Sequence, residues 1–273
     1  MQQILIATDF SKGAANALEY ALELAKVLRQ EVCVLHAVGS LEGVNNNTYN
    51  ALYIEEYQKS KREALETWVT QFTQREGFEN IPVSLRVDVG SVSGTIAKYA
   101  GDNPVALIVM GAAGSTGITG LFGSSTSSVV LKTTTPVLIV PLESSFSAKP
   151  NITLASDYSS QLSAGDLQAL NELIQAFGTE KLQVLNVLEK SDPTALAAGE
   201  ADLKKAIPGT ELGFNYITDT DPLTGILNFV ETSQTDILCV VKHHHNVIYR
   251  IFTRSTVNRV LNRSIKAVLV LHE

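Results

Sequence analysis

The stretch VALIVMGAAGSTGITGLFGSSTSSVVLK, residues 105–132, carries the signal that decides the fold. Residues 105–109 are continuously apolar, which predicts a buried strand, and residues 125–132 predict a helix. The loop between them contains five glycines, at positions 111, 114, 117, 120 and 123. A strand, a glycine-rich loop and a helix N-terminus in this order often hold a phosphate, because free backbone N–H groups at the helix start stabilise an anion.

The spacing of these glycines leaves two interpretations open. No Lys-Ser or Lys-Thr pair follows Gly123, so the loop is not a Walker A motif, and the dinucleotide fingerprint would follow the first strand instead. A flexible loop that leads into an N-capped helix explains the same residues without a ligand.

The composition predicts a folded, acidic protein. Of 273 residues, 45% are hydrophobic, and 28 Asp and Glu outnumber 21 Lys and Arg, which gives a net charge of −7. This balance argues against nucleic acid as a partner, since binding it requires a basic face. Cys33 and Cys239 lie in apolar runs and are expected in the core rather than in a disulfide or a metal site.

No membrane association is expected, because the apolar runs are shorter than a bilayer requires. Residues 4–7 are apolar but no basic segment precedes them, so they predict a first strand rather than a signal peptide. The protein is therefore expected in the cytoplasm.

The chain contains an internal duplication. ILIATDFS begins at Ile4 and ITLASDYS begins at Ile152, so that Asp9 and Asp157 correspond at a distance of 148 positions. Near the ends of the two copies the distance falls to 131 positions, as between Val137 and Val268. Copies of this length predict two domains rather than a solenoid. We predict domains at residues 1–143 and 151–273, joined by the polar segment 143–150.

Within each copy, apolar strands alternate with helical patterns. In the first copy, strands are predicted at residues 4–8, 31–38, 83–89, 105–110 and 137–141, with helices between them. Continuous apolar strands that alternate with helices indicate a parallel sheet covered on both faces. The fold class is therefore α/β, as a tandem repeat of two doubly wound five-stranded parallel-sheet domains.

The motifs ILIATDFS, VLHAV, VMGAAGSTGITGLFGSS and TPVLIVP together resemble those of the universal stress protein family. The resemblance covers the whole chain as a tandem pair and is stronger in the first copy. In the family's nucleotide motif, nine residues separate the second glycine from the last glycine. Here eight residues separate Gly114 from Gly123. The resemblance implies the strand order 3-2-1-4-5, dimers through the fifth strand, and ATP binding in one branch of the family.

The resemblance also implies a set of nucleotide-binding positions. Ala7 and Asp9 would lie near adenine and ribose, Val38 would meet adenine through its backbone, and Met110 would line the base pocket. The ribose and phosphates would be held by Gly111, Gly114, Gly123, Ser124 and Ser125. A Mg²⁺ ion could accompany the phosphates of ATP, although no dedicated carboxylate cluster is visible.

The histidines do not indicate a reaction. His36 lies inside an apolar strand and is expected to be a hydrogen-bonded core residue. His243, His244 and His245 are consecutive, so a solvated loop explains them better than a metal site. No catalytic Ser/His/Asp arrangement is present, and no residue is marked as a general base.

In the second copy, the counterparts of the motif glycines 111, 114 and 123 are Lys242, His245 and Arg254. Together with Ser255 and Thr256 they could form an anion site, but a closed site retained for packing is the preferred interpretation. We therefore predict one nucleotide per chain, bound in the first copy. The last strands of the two copies, residues 137–140 and 268–271, are expected to pair as an intramolecular pseudo-dimer, with or without a further homodimer.

Three functions remain open at this level. The first is a cytoplasmic ATP-binding stress protein that acts as a nucleotide-dependent binding or regulatory module. The second is a slow ATP hydrolase or phosphotransfer enzyme that uses the same site. The third is an interaction scaffold without bound nucleotide.

Overall fold

The computed structural model describes residues 2–39, 48–112, 124–158, 162–188, 193–242 and 266–272. The strands among them are β1 (Gln3–Ala7), β2 (Glu31–Val38), β3 (Val83–Val89), β4 (Val105–Gly111), β5 (Val137–Val140), β6 (Ile152–Ala155), β7 (Lys181–Leu188), β8 (Glu211–Thr218), β9 (Ile237–Lys242) and β10 (Ala267–His272). The helices are α1 (Lys12–Leu28), α2 (Thr48–Thr73), α3 (Val92–Asp102), α4 (Ser124–Lys132), α5 (Gln168–Phe177), α6 (Pro193–Ala206) and α7 (Pro222–Thr232). None of these helices combines the length and apolarity that a membrane span requires.

All ten strands form one sheet in the order β3-β2-β1-β4-β5-β10-β9-β6-β7-β8. The first five strands therefore follow the order 3-2-1-4-5, and the last five follow the same order in the reverse direction. Within each half, neighbouring strands are parallel. Both the α/β class and the strand order expected from the sequence are confirmed.

The two halves meet where β5 pairs with β10, and we call this pairing the seam. It is antiparallel, with Ile139 opposite Val268, Leu138 opposite Leu269 and Val137 opposite Val270. These side chains are almost completely buried. An apolar fifth strand left at a sheet edge would be open to other chains, and the seam covers both such strands at once. The expected intramolecular pseudo-dimer contact is thus present.

Helices cover both faces of the sheet, as its continuously apolar strands predict. Alternate residues of β1 divide between the faces: Ile4 and Ile6 belong to the core beneath α1 and α2, whereas Leu5 and Ala7 belong to the core beneath α3 and α4. Cys33 and Cys239 are buried free thiols, as expected. Burial raises the pKa of the Cys239 thiol.

The seam provides a direct test of this architecture. We predict that Leu138→Asp lowers the free energy of unfolding by about 3 kcal/mol or more, because a carboxylate would be buried opposite Leu269 without a partner. Leu142→Asp is the matched control, since Leu142 lies just beyond the strand and is 49% exposed; it should change stability by less than about 0.5 kcal/mol. Urea unfolding of both variants makes the comparison, and equal effects would contradict a buried seam.

Candidate functional site

A cleft lies at the carboxyl ends of β1, β2 and β4, where the chain crosses from one side of the first half-sheet to the other. In a doubly wound sheet this switch point is where ligands bind. The cleft has a volume of about 100 Å³. Its described lining consists of Ala7, Thr8, Asp9, Ser11, Ala14, Leu35, Ala37, Val92, Ile96, Met110, Gly111, Ser125 and Thr126.

The cleft has an apolar wall and a polar rim. Ala7, Ala37 and Met110 project from three adjacent strands toward the face that α3 covers, and Ile96 of α3 lies opposite them. The small side chains of the two alanines leave open space above the sheet. Asp9, Ser11 and the first turn of α4 supply the polar groups at the rim.

The Asp9 carboxylate is positioned by the start of α1. One of its oxygens accepts a hydrogen bond from the Ser11 N–H at 3.1 Å, and the Ser11 hydroxyl oxygen caps α1 by accepting from the Ala14 N–H at 3.1 Å. Asp9 itself is exposed at the mouth of the cleft. The carboxylate therefore combines a local role at the helix start with exposure at the mouth of the cleft.

The turn between β1 and α1 has an unusual backbone that the second half repeats. Phe10 has a φ of 64° and its counterpart Tyr158 a φ of 53°, both left-handed values that bulky residues rarely adopt. Each turn begins with a backbone hydrogen bond to the neighbouring strand. The Thr8 N–H donates to the Leu35 carbonyl of β2, and the Ser156 N–H donates to the Leu185 carbonyl of β7. The duplication therefore preserves this turn in conformation as well as in sequence.

His36 is a structural residue of that turn, as predicted. Its Nδ1 lies 2.8 Å from the Thr8 carbonyl oxygen, and its ring is 4.5 Å from the ring of Phe10. A carbonyl oxygen only accepts, so Nδ1 carries the proton. In the second half Asn186 occupies the same place and donates to the Ser156 carbonyl oxygen at 2.7 Å. Two different side chains thus donate hydrogen bonds to the equivalent carbonyl groups of the two halves.

We predict that His36→Asn keeps the free energy of unfolding within about 1 kcal/mol, because an amide N–H can replace the imidazole N–H as Asn186 does. His36→Leu should cost about 1–3 kcal/mol, because the Thr8 carbonyl would lose its donor. Denaturant unfolding measures both. Equal stability of the two variants would show that the hydrogen bond is unimportant.

Gly111 has a packing role that the sequence analysis missed. A Cβ at this position would lie 2.7 Å and 2.8 Å from the carbonyl carbon and oxygen of Gly13 at the start of α1. Gly111 is not among the described glycines with positive φ. The absence of a side chain therefore lets β4 pack against α1. Gly111 also lines the cleft, so its expected contact with a ligand stays a prediction. The Thr126 hydroxyl donates to the Gly111 carbonyl oxygen at 3.2 Å and ties α4 to the same point.

We predict that Gly111→Ala destabilises the protein by about 1–3 kcal/mol, because the added methyl group would overlap the backbone of Gly13. Gly101→Ala is the control, since a Cβ on this helical glycine meets nothing within 4 Å. It should be neutral or stabilise by up to about 1 kcal/mol. Thermal unfolding of the two variants would refute the packing role if Gly111→Ala behaved like Gly101→Ala.

Several positions implied by the resemblance meet in the cleft: its lining includes Ala7, Asp9, Met110, Gly111 and Ser125. Ser124 begins α4. Gly114 and Gly123 lie outside the described residues.

Val38 is not part of the cleft lining. Its carbonyl oxygen accepts the Gly90 N–H at 2.8 Å, and its side chain is buried in the core on the other face of the sheet. Its neighbour Ala37 lines the cleft instead. The expectation that the Val38 backbone contacts adenine stays a prediction.

Of the possible anion site in the second copy, the structure describes Lys242 alone. The Lys242 Nζ donates to the carbonyl oxygens of Val130 at 3.0 Å and Leu131 at 3.4 Å, at the end of α4 in the first half. Burial lowers the pKa of this ammonium group. The other residues of that proposed site, His245, Arg254, Ser255 and Thr256, lie outside the described residues, as do His243 and His244. In the described ranges, His, Cys, Asp and Glu form no group of three or more that could hold a metal ion.

Comparison with known proteins identifies the family. The model of the universal stress protein family matches residues 1–141, which is more than half of the chain. The chain belongs to the universal stress protein family. The matched segment contains every described residue that lines the cleft.

A universal stress protein of Methanocaldococcus jannaschii is 29% identical over an alignment of 157 residues, which covers 53% of this chain and 97% of the relative. A universal stress protein structure from Archaeoglobus fulgidus is similar over 98% of this chain and 97% of its own, with a TM-score of 0.74 and 23% identity. A functionally unknown protein from Pseudomonas aeruginosa shares the fold over 100% of this chain and 92% of its own, with a TM-score of 0.60 and 13% identity. The fold of this universal stress protein, over nearly its whole length, therefore occurs in other solved proteins.

Proposed function

We propose that this universal stress protein binds ATP or another adenine nucleotide in the cleft of its first half. In this proposal it acts in the cytoplasm as a nucleotide-dependent binding or regulatory module of the stress response. The observation that carries the proposal is the pairing of an apolar slot with a polar rim at the switch point of the first half-sheet. A nucleotide combines a flat base with a polar sugar and phosphates, which matches that division.

The size of the cleft suits the base. Pockets that enclose whole drug-sized ligands measure about 300–1,000 Å³, against about 100 Å³ here. We infer that the base lies against Ala7, Ala37 and Met110, and that the ribose and phosphates extend toward the rim.

The rim suits the sugar and the phosphates in different places. The Asp9 carboxylate would accept hydrogen bonds from ribose hydroxyls, whereas beside the phosphates it would repel them. The N-terminal residues Ser124 and Ser125 of α4 would face the phosphates, where the helix dipole favours an anion. Gly114 and Gly123 are assigned to the phosphates by their motif. Mg²⁺ commonly binds through phosphate oxygens and water, so it could accompany ATP with few protein ligands.

The chemistry of the described lining supports binding more than turnover. Among the described lining residues, Asp9 has the ionisable side chain. The position of this carboxylate at the start of α1 suits a hydrogen-bond acceptor for the sugar. An ATP hydrolase, a phosphotransfer enzyme and an empty scaffold are therefore outcomes that the experiment must separate.

We predict a stoichiometry near one adenine nucleotide per chain by titration calorimetry, and an adenine nucleotide in the mass spectrum of molecules released from the purified protein. Ala37→Val should weaken ATP binding by about tenfold or more, because two extra methyl groups would occupy a small cleft. Val187→Ala is the matched control, since Val187 stands at the corresponding place in β7; it should leave the affinity unchanged.

The other outcomes each favour a different function. Two ATP sites per chain would contradict a single site in the first half. Absence of both binding heat and co-purified nucleotide would favour the scaffold, and steady release of phosphate from ATP would favour the hydrolase. Equal affinities of the Ala37→Val variant and the wild type would place the ligand elsewhere.

A further inference from the structure

Helix α4 connects the cleft of the first half with the second half of the chain. At its beginning, Ser125 and Thr126 line the cleft. At its end, Val129 and Val130 belong to the same buried core as Val268 and Val270 of β10. One helix of nine residues thus spans the distance between the proposed ligand site and the seam.

The sequence of α4, SSTSSVVLK, gives it little stability of its own. Ser, Thr and Val rank below Ala, Leu and Lys as helix formers, and isolated helices of this length are marginal in water. The position of α4 therefore depends on contacts with the rest of the protein. On its first-half side these include the hydrogen bonds from Thr126 to Gly111 and from Lys132 Nζ to the Ser93 hydroxyl at 3.0 Å.

The second half holds the C-terminal end of α4. The Lys242 Nζ lies 3.0 Å from the Val130 carbonyl oxygen and 3.4 Å from that of Leu131. His272 Nε2 lies 3.0 Å from the same Val130 oxygen. Lys242 and His272 are neighbours in register on β9 and β10, so two adjacent strands present both side chains to one helix end. The last carbonyls of a helix lack intrahelical donors, and a cation there complements the helix dipole.

We propose that Lys242 is a positioning residue for the nucleotide cleft of the first half, and that it acts through α4. This inference rests on the proposed function of that cleft. By fixing the last turn of α4, the ammonium group keeps the first turn, with Ser125 and Thr126, in the place that lines the cleft. Lys242 is the second-half counterpart of Gly111. Through this lysine, the second half helps to hold the site of the first half in place.

The test compares three variants of the full chain. Lys242→Met keeps an unbranched side chain but removes the ammonium group, and Lys242→Arg retains a cation that can donate to carbonyls. Lys266→Met is the control, because Lys266 lies just before β10, at the opposite end of that strand from His272, and its Nζ pairs with an Asp236 carboxylate oxygen at 3.7 Å.

In Lys242→Met we expect the α4 amides to exchange hydrogen about three to thirty times faster than in the wild type, with the amides of α1 as an internal reference. The Kd for ATP should rise by a similar factor, because the first turn of α4 would be held less firmly. Lys242→Arg should recover most of both effects, and Lys266→Met should show neither.

Unchanged exchange in α4 of the Lys242→Met variant would overturn the proposal, whether or not the protein binds ATP. Faster exchange with an unchanged Kd would also overturn it, since Lys242 would then stabilise the helix without positioning the cleft. If wild-type protein binds no nucleotide, the proposed function and this inference about the cleft both fail, while the exchange measurement still reports whether Lys242 holds α4.

Discussion

The antiparallel pairing of β5 with β10 is the contact on which the rest of the molecule depends. Each half ends in a short apolar strand that would stand at a sheet edge if the half were alone. Pairing the two strands turns two five-stranded sheets into one sheet of ten strands. It also brings β9 and β10 beside α4, which is why Lys242 can reach carbonyl groups 111 and 112 positions away in the sequence.

Duplication preserved the scaffold and changed the cleft. The turn after the first strand keeps its left-handed residue in both halves, although Asn186 replaces His36 as the donor to the turn carbonyl. At the cleft the residues differ in size or charge: Val187 stands for Ala37, and Lys242 stands for Gly111. A backbone that must satisfy a buried carbonyl tolerates exchange of one donor for another, whereas a small cleft does not tolerate added side chains.

The two halves therefore contribute differently to one proposed site. The first half supplies the apolar wall, the Asp9 carboxylate and the N-terminus of α4. The second half supplies no described lining residue, but its lysine and histidine hold the other end of that helix. In this view the tandem arrangement does more than cover an edge strand, because it adds a contact to the support of the cleft.

The sequence by itself determined what local patterns can encode. Apolar runs located the first-half strands, and the helical pattern at residues 125–132 located α4, to within one residue at each end. The repeat of ILIATDFS as ITLASDYS revealed the duplication. The resemblance then supplied the strand order and five of the thirteen described residues that line the cleft.

Only the tertiary structure decided the roles of Gly111 and Lys242. Gly111 lies where a strand meets a glycine-rich loop, so its sequence suggested a ligand contact. That the atoms nearest its missing side chain belong to Gly13 could be seen only in the folded structure. Lys242 replaces a motif glycine, which left an anion site and a closed site both open, and its ammonium group donates to a carbonyl oxygen near the end of α4. Both roles depend on which distant backbone lies within 3 Å, and that distance is set by how helices pack on the assembled sheet rather than by neighbours along the chain.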